Sequence, residues 1–427
     1  MKPGADPARN ALPRHFAAAM DQLGPFPPAP RLAAGVSGGA DSLALALLAD
    51  AWVRARDGAL LALIVDHGLR TEAAEEAKAT AALLAARGIT ARVLRLDHLP
   101  PGPGIADRAR AARFAALGSA CADAGITDLL LGHHAADQAE TLLIRALSAS
   151  GKAGMAGMAG LREFPAGRLL RPLLGIAPAA LRDFLRAASV PWVEDPSNTN
   201  KTALRARLRT LRGDPPGDGF ATNALLAAAT AAGLAREQAE TAIAAWLALH
   251  VSLRPEGFAI LPPGPWPADA LASLIRAISG AAFPPAIAKV ASIAARPRAA
   301  TLAGTRFMRA GRLGPGWLLL REAAAMAPPI PASPGTVWDQ RFRLRAIAEN
   351  PAGSSSFGAV GADAASLRRR SPLPAAILAT LPALRRAGQI VSVPHLDGPS
   401  SLWPASIGPA QPHPAAPVPF VVDSPTG

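Results

Sequence analysis

The stretch Val36-Ser37-Gly38-Gly39-Ala40-Asp41-Ser42 decides the fold of this chain. It follows a short apolar run and precedes a helical pattern, so it predicts a strand, a glycine turn and a helix N-terminus. Helix N-termini bind anions through free N–H groups, and glycines let backbone N–H groups close around a phosphate. Ser37 and Ser42 add hydroxyl donors. Asp41 would repel a phosphate, so its carboxylate suits a Mg²⁺ ligand.

Other glycine loops fit this stretch less well. A glycine pair alone also fits an ordinary βα turn capped by Asp41 or Ser42. The Gly-Lys-Ser/Thr ending of a Walker motif is missing, and so is the Gly-x-Gly-x-x-Gly of a dinucleotide site. The full Ser-Gly-Gly-x-Asp-Ser string after a strand resembles the motif of the ATP pyrophosphatase (PP-loop) family. That resemblance implies cleavage of ATP between its α and β phosphates, with transfer of AMP to an oxygen and release of pyrophosphate.

Composition limits the classes of partner. The chain has 427 residues, enough for two or three domains, and 44 Lys and Arg against 31 acids give a net charge of +13. Most of the basic residues are arginines, which suit phosphate recognition and base stacking, so an RNA partner fits. A base-composition bias of the genome fits the same arginines equally, because Ala and Pro are abundant and Tyr is absent.

Cysteine count and hydropathy exclude further classes. Cys121 is the only cysteine, which rules out disulfides within the chain and any Cys-x-x-Cys metal or sulfur-transfer site. No uncharged apolar stretch reaches membrane-spanning length, and the first residues lack the continuous apolar core of a secretion signal. We therefore expect a soluble, cytoplasmic protein without a membrane partner.

Alternating patterns predict the architecture. Strand-like runs over residues 32–36, 60–66, 91–96 and 128–132 alternate with helical runs, which predicts an α/β fold with a doubly wound parallel sheet. We expect five parts in order: a flexible leader over 1–30, the PP-loop catalytic domain over 31–213, a mostly helical or α+β substrate-binding domain over 214–326, a small C-terminal module over 335–395, and a disordered tail over 396–427.

Polar residues at the predicted strand ends mark a crevice. Ligands of such sheets bind beyond the carboxyl ends of the strands, so Ser37, Asp66, His67 and His133 should line one crevice. Asp66 and His67 would reach a nucleotide bound at the first loop, although a turn capped by Asp66 fits equally well.

A second motif follows the fourth strand. If a helix begins near residue 135, His133, Asp137 and Glu140 share one face, and the two carboxylates would suit an ammonium ion or Mg²⁺. A solvated helix start is the alternative, because acids are favoured in a first turn. His134 is expected to be structural, and Arg113 would contact phosphate.

A turn-rich segment over residues 190–200 comes later in the chain. It carries Glu194, Asp195 and Asn198, and Arg205 and Arg209 follow it. Acids followed by a row of arginines suit the binding of a nucleic-acid end or loop, and an interdomain connector is the alternative.

Together these segments resemble the tRNA(Ile)-lysidine synthetases, a family of PP-loop RNA-modifying ligases. The match covers about half the chain, in the family's order: residues 37–42, 65–70, 109–114, 133–141, 171–174 and 192–200, with Arg205 and Arg209. The resemblance implies that ATP adenylates O2 of the wobble cytidine in the isoleucine tRNA with a CAU anticodon. The ε-amine of free L-lysine then attacks C2, AMP leaves, and lysidine forms.

The resemblance also implies roles for single residues. The loop would hold the pyrophosphate through Ser37, Gly38, Gly39, Ala40 and Ser42. Asp41 of the same loop would bind Mg²⁺. The lysine ammonium would pair with Asp137 and Glu140, charge on the phosphate or base would be stabilised by His133 and Arg113, and RNA or AMP would be held by Arg205 and Arg209. The resemblance allows a homodimer.

One departure from the family pattern leaves alternatives open. The family usually has two consecutive acids in its His-x-x-Asp-Asp-Gln pattern, and the first is Ala136 in this chain. A non-catalytic RNA-binding homologue is therefore one alternative. A tRNA 2-thiolation enzyme is another, but related ones need a cysteine pair. A small-molecule amide ligase is a third, and the arginine-rich second half disfavours it.

Overall fold

The computed structural model describes residues 11–66, 68, 73–96, 102, 104–148, 154–164, 167–194, 204–347, 355–397 and 405–409. The chain forms two compact units, the first reaching to Gln238 and the second beginning at Ala239. None of the described helices is long and apolar enough to cross a membrane.

A six-stranded sheet forms the centre of the first unit. Its strands are β1 (Arg31–Val36), β2 (Ala59–Asp66), β3 (Thr90–Arg95), β4 (Asp128–Leu131), β5 (Leu161–Phe164) and β6 (Gly167–Leu170). They lie in the order β3-β2-β1-β4-β6-β5, and every neighbouring pair is parallel except β5 with β6. The predicted strand at 128–132 thus ends at Leu131, and the β5–β6 hairpin was not predicted.

Helices connect and cover these strands. In chain order they are α1 (Ala11–Gln22), α2 (Ala40–Arg54), α3 (Ala73–Ala85), α4 (Ile105–Asp123), α5 (Ala135–Leu147), α6 (Pro178–Ala187), α7 (Leu204–Arg212) and α8 (Phe220–His250). The boundary between the two units falls within α8.

Side-chain alternation places a core on each face of the sheet. Leu32 and Ala34 of β1 pack with α1, α2 and α6 on one face, whereas Ala33 packs with α4 on the other. Both faces are buried, which explains why these strands are continuously apolar rather than alternating. The predicted doubly wound α/β fold is confirmed.

The first thirty residues differ from the prediction. Residues 11–22 form α1, and its Phe16 and Met20 are 1% and 0% exposed in the first core. A flexible leader over 1–30 is therefore wrong for this helix. The two side chains stand four residues apart on one helix face, a short pattern that the proline run after it obscures.

The second unit combines helices with three sheets. Its further elements are β7 (Ser252–Arg254), β8 (Phe258–Leu261), α9 (Ala268–Ser279), α10 (Ile287–Ala295), β9 (Ala300–Leu302), β10 (Thr305–Arg309), β11 (Trp317–Arg321), β12 (Ile330–Pro331), β13 (Val337–Trp338), β14 (Phe342–Ile347), β15 (Ser355–Ala359), α11 (Ala364–Leu367), α12 (Ala375–Leu378), β16 (Pro382–Arg386), β17 (Gln389–Ser392) and β18 (Ala405–Pro409). The sheet orders are β7-β8-β11-β10-β9, β12-β15-β16-β17 and β13-β14-β18.

Two predicted boundaries in this unit are wrong. Phe258 and Leu318 share one core with Leu381, so the parts predicted as 214–326 and 335–395 are not separate modules. The reason is that side chains alternate between the two faces of β11. Leu318 packs into this shared core, whereas Leu319 packs against α9 on the opposite face. The predicted disordered tail over 396–427 contains β18, which pairs with β14.

A buried ion triad holds part of this unit together. Asp339 accepts hydrogen bonds from Arg321 Nε at 3.0 Å and from Arg341 Nε at 2.7 Å, and all three side chains are buried. Asp339→Ala leaves two buried guanidinium groups without their carboxylate, so we expect a loss of about 3–5 kcal/mol in the free energy of unfolding, measured in urea.

The matched control for that loss is Asp363→Ala. Asp363 pairs with Arg385 at 2.7 Å, but its side chain is 51% exposed, so its loss should be at most about 1 kcal/mol. Equal losses in the two variants would contradict a structural role specific to the triad.

Candidate active site

A crevice opens at the carboxyl ends of β1, β2 and β4, as predicted for a parallel sheet. Its volume is about 380 Å³. The polar residues that line it come from five helices and from the loops after β1, β4 and α6: Ser37, Asp41, Ser42, Glu76, Arg113, His133, Asp137, Arg182 and Glu194. The fold thus brings residues that lie more than a hundred positions apart in the sequence to one edge of the sheet.

The glycine loop at the base of the crevice has a fixed shape. Gly38 has a φ of +83°, and a Cβ there would lie 2.7 Å from Oγ1 of Thr80, so only glycine fits. The Ser42 hydroxyl donates to the Gly39 carbonyl at 2.9 Å and accepts from the Ser37 N–H at 3.1 Å. Gly39 caps α2 without a side-chain acceptor, which leaves the N-terminus of that helix suited to an anion.

Asp41 lies in the first turn of α2 and faces the second motif. Its Oδ2 is 3.4 Å from Nε2 of His134, which is also 3.6 Å from Oδ2 of Asp137. The other oxygen of Asp41, Oδ1, is buried and has no hydrogen-bond partner among the described residues. A buried carboxylate oxygen without a donor suits a cation.

A cation at this position would need oxygens from its ligand as well. Among the described residues, no group of three or more His, Cys, Asp and Glu is arranged to hold a metal ion. Mg²⁺ is commonly held by one or two carboxylates together with phosphate oxygens and waters, and Asp41 beside an anion-binding loop fits that pattern.

The two histidines of the second motif differ in their environments. Burial, and then the charge of Arg171, lowers the pKa of His133 to about 4, although Asp137 opposes this. Burial also lowers the pKa of His134, but its hydrogen bond with Asp41 and the charge of Asp137 outweigh burial and raise that pKa. His133 is therefore neutral at pH 7 and lines the crevice, and its buried Nδ1 has no hydrogen-bond partner in the part of the chain that the structure describes.

The lowered pKa of His133 predicts a loss of stability in acid. The unfolded chain takes up this proton below about pH 6.5, whereas the folded protein takes it up only near pH 4, so stability falls across that window. His133→Gln should remove about 3 kcal/mol of the decline between pH 7 and pH 4, measured by urea unfolding. Parallel curves for the two proteins would contradict the shift.

Two further predicted residues lie in the crevice. Arg113 on α4 lines it, and burial followed by the charge of Arg110 lowers the pKa of its guanidinium. Glu194 lies at the rim and accepts a hydrogen bond of 2.7 Å from Nε1 of Trp192.

Other predicted residues lie elsewhere. The Asp66 carboxylate is buried and accepts the Gly68 N–H at 2.9 Å, so it closes a turn and does not line the crevice. Glu140 is fully buried, with 0% exposure, and is likewise absent from the lining. Ala136 is buried and faces Gly217. A Cβ added to Gly217 would lie 3.5 Å from the Cβ of Ala136.

Several predicted residues cannot be described at the side-chain level. His67, Asp195 and Asn198 lie outside the described residues. Arg205 and Arg209 belong to α7, and their side chains lie outside the description.

Glu76, Arg182 and the position of His134 were not predicted from the sequence. Glu76 lies in the first turn of α3, directly after β2, and that placement was a usable signal. Arg182 lies on α6, far along the chain from the loop that it faces, and no local pattern marks it. His134 was expected to be structural, yet it contacts the crevice carboxylates of Asp41 and Asp137.

Comparison with known proteins gives a family match and a match to a solved structure. Residues 12–211 match the PP-loop domain family ATP_bind_3. Among solved structures, the U34-tRNA thiolase NcsA from Methanococcus maripaludis matches with a TM-score of 0.42 and 16% identity, covering 51% of this chain and 78% of that one.

Two curated relatives match over most of their length. The tRNA(Ile)-lysidine synthase of Mesorhizobium japonicum is 36% identical over 332 residues, which are 73% of this chain and 71% of that protein. The tRNA(Ile)-lysidine synthase of Ruegeria pomeroyi is 33% identical over 390 residues, 88% of this chain and 91% of that protein. The chain therefore belongs to the tRNA(Ile)-lysidine synthase family.

Proposed function

We propose that this chain is a tRNA(Ile)-lysidine synthase, a ligase that activates the wobble cytidine of the CAU-anticodon isoleucine tRNA with ATP and joins it to free L-lysine. One observation carries the proposal beyond family membership. The Asp41 carboxylate beside the glycine loop and the Asp137 carboxylate of the second motif lie within 3.6 Å of the same imidazole nitrogen, in one crevice. The proposed phosphate site and the proposed ammonium site would thus be adjacent.

The first step needs an anion-binding loop. The N-terminus of α2 and the backbone of Gly38 and Gly39 would bind the β and γ phosphates of ATP, which leave as pyrophosphate. Asp41 would hold Mg²⁺ through its unpartnered oxygen, and the ion when bound would neutralise phosphate charge. Arg113 would stabilise charge on the α phosphate while O2 of the cytidine attacks it.

The second step needs an amine held beside the activated base. The Asp137 carboxylate would pair with the ε-ammonium group of lysine and accept a proton as the free amine forms. His133 would offer a neutral hydrogen-bonding nitrogen without adding charge to the crevice. The amine then attacks C2 of the cytidine, the C2–O2 bond breaks, and AMP leaves with that oxygen.

Because Glu140 is fully buried, we assign it a different role from direct contact with lysine. It would act on the amine site through the charge that it exerts on His134, rather than by touching lysine. The proposed binding of RNA or AMP by Arg205 and Arg209 stays a prediction, and the half-buried Arg182 of the crevice is an additional candidate for the same task.

The alternatives fit the site less well. Sulfur transfer needs a reactive thiol, but Cys121 is fully buried, and burial raises the pKa of its thiol to about 11. A non-catalytic homologue had Ala136 as its support. Ala136 faces Gly217 rather than the crevice, and the carboxylates of Asp41 and Asp137 still line the crevice.

Three related points stay predictions. A tRNA substrate favours a cytoplasmic location, a homodimer is allowed by the family resemblance, and the second unit is expected to contribute to tRNA binding. Its arginine-rich strands β14 and β16 suit phosphate contacts.

The proposed function predicts that AMP formation depends on the wobble base. Purified protein should release AMP with the CAU isoleucine tRNA and lysine, but not with the same tRNA carrying uridine at the wobble position. AMP release that is equal for both tRNAs would contradict activation of cytidine.

A further inference from the structure

His134 makes contacts on both sides of its imidazole ring. Its Nδ1 accepts the Asp137 N–H at 3.4 Å, and its own backbone N–H donates to Asp137 Oδ2 at 3.1 Å, which closes a capping box at the start of α5. Because Nδ1 accepts, the proton of the neutral ring lies on Nε2. The residue is only 7% exposed, so water cannot readily replace these contacts.

The Nε2–H group faces two carboxylates from different elements. It lies 3.4 Å from Oδ2 of Asp41, in the first turn of α2, and 3.6 Å from Oδ2 of Asp137, in the first turn of α5. Two carboxylates this close repel each other, and a shared donor between them reduces that repulsion. Gly132 assists the approach, because a Cβ there would lie 3.2 Å from the Asp41 carbonyl carbon.

Helix capping alone does not explain a histidine at this position. Asn, Asp and Ser are the preferred N-cap residues, and the capping bond to Nδ1 is long for an N–H donor. Asparagine would cap α5 at least as well as histidine. Its amide is too short to reach Asp41, so reach across to α2 is what the imidazole adds.

We propose that His134 is a positioning residue that holds the carboxylates of Asp41 and Asp137 at a fixed spacing through its Nε2–H. In the proposed function, on which this role rests, Asp41 serves activation by ATP and Asp137 binds the amine. His134 thus aligns the two half-sites of the reaction without touching either substrate.

Two variants separate this role from capping. His134→Asn keeps the cap and loses the bridge, whereas His134→Ala loses both. We expect His134→Asn to have a Tm equal to or above that of the wild type, while kcat/KM for lysine transfer falls by about 10–100-fold. His134→Ala should show a similar fall in kcat/KM together with a lower Tm.

A binding measurement provides a readout that does not depend on turnover. The Mg²⁺ concentration needed for half-maximal binding of an ATP analogue with a methylene group between its α and β phosphates should rise by about tenfold or more in His134→Asn. A merely structural role would leave this value at the wild-type level in a variant with unchanged Tm.

The opposite result would overturn the proposal. If His134→Asn keeps wild-type kcat/KM and the same Mg²⁺ requirement, His134 is a helix cap only. If the wild type itself never transfers lysine, the proposed function fails, but the Mg²⁺ requirement of His134→Asn still tests whether the bridge positions Asp41.

Discussion

Asp41→Asn is expected to lower the rate of pyrophosphate release by about 10²–10³-fold, the largest effect of any single substitution that we predict. Asparagine has the size of aspartate but lacks its charge. Oδ1 of Asp41 is buried beside the glycine loop, and no described residue donates a hydrogen bond to it. The neutral amide would not hold Mg²⁺ there. The measurement is pyrophosphate release at saturating ATP, lysine and CAU isoleucine tRNA.

Asp50→Asn provides the matched control. Asp50 lies on the same helix, α2, and pairs with Arg54 at 2.7 Å on the surface, outside the crevice. Its substitution should cost at most about 1 kcal/mol of stability and leave pyrophosphate release unchanged. Full turnover by Asp41→Asn would mean that Asp41 does not hold Mg²⁺ for the phosphates of ATP.

Asp137→Asn is expected to raise the KM for lysine by about 30-fold or more while the KM for ATP changes little. Removing one partner of a partly buried charge pair costs about 2–5 kcal/mol, and the proposed pair joins this carboxylate to the ε-ammonium group. Asparagine keeps an oxygen that can accept the His134 N–H, so the cap of α5 should survive. The measurement is steady-state kinetics with each substrate varied in turn.

The control for Asp137 is another acid of the crevice. Glu194→Gln removes a carboxylate at the rim, where it accepts from Trp192, and should leave the KM for lysine nearly unchanged. An equal rise in the KM values for lysine and ATP in Asp137→Asn would reassign Asp137 from amine binding to metal binding.

Much of the first unit could be predicted from the sequence because its signals are local. Short-range patterns predict the glycine loop and the apolar runs of β1, β2 and β4. They also show the alternation of strands and helices that indicates a parallel sheet. The β5–β6 hairpin was missed because its strands are four residues each, and α1 was missed because a proline run follows it. The shared core of the second unit depends on which face of each strand packs against which other element. The sequence pattern does not show that choice.

The crevice shows the same limit. His133 lies before α5, whose N-cap is His134, so helical periodicity applies only to Asp137 and Glu140. Periodicity also does not tell how deep each side chain lies, and Glu140 is fully buried. Asp66 stood at a strand end as expected, and a local turn took its carboxylate. Arg182 reaches the crevice only through tertiary packing of α6, so nothing in its neighbourhood could have marked it.

The most direct measurement is transfer of labelled lysine. Purified protein is incubated with ATP, radiolabelled L-lysine and a transcript of the isoleucine tRNA with a CAU anticodon, and the tRNA is digested to nucleosides. We predict label in the wobble nucleoside, with one AMP formed for each lysine that is transferred. Label that stays with free lysine, while the protein still binds ATP and the tRNA, would contradict it.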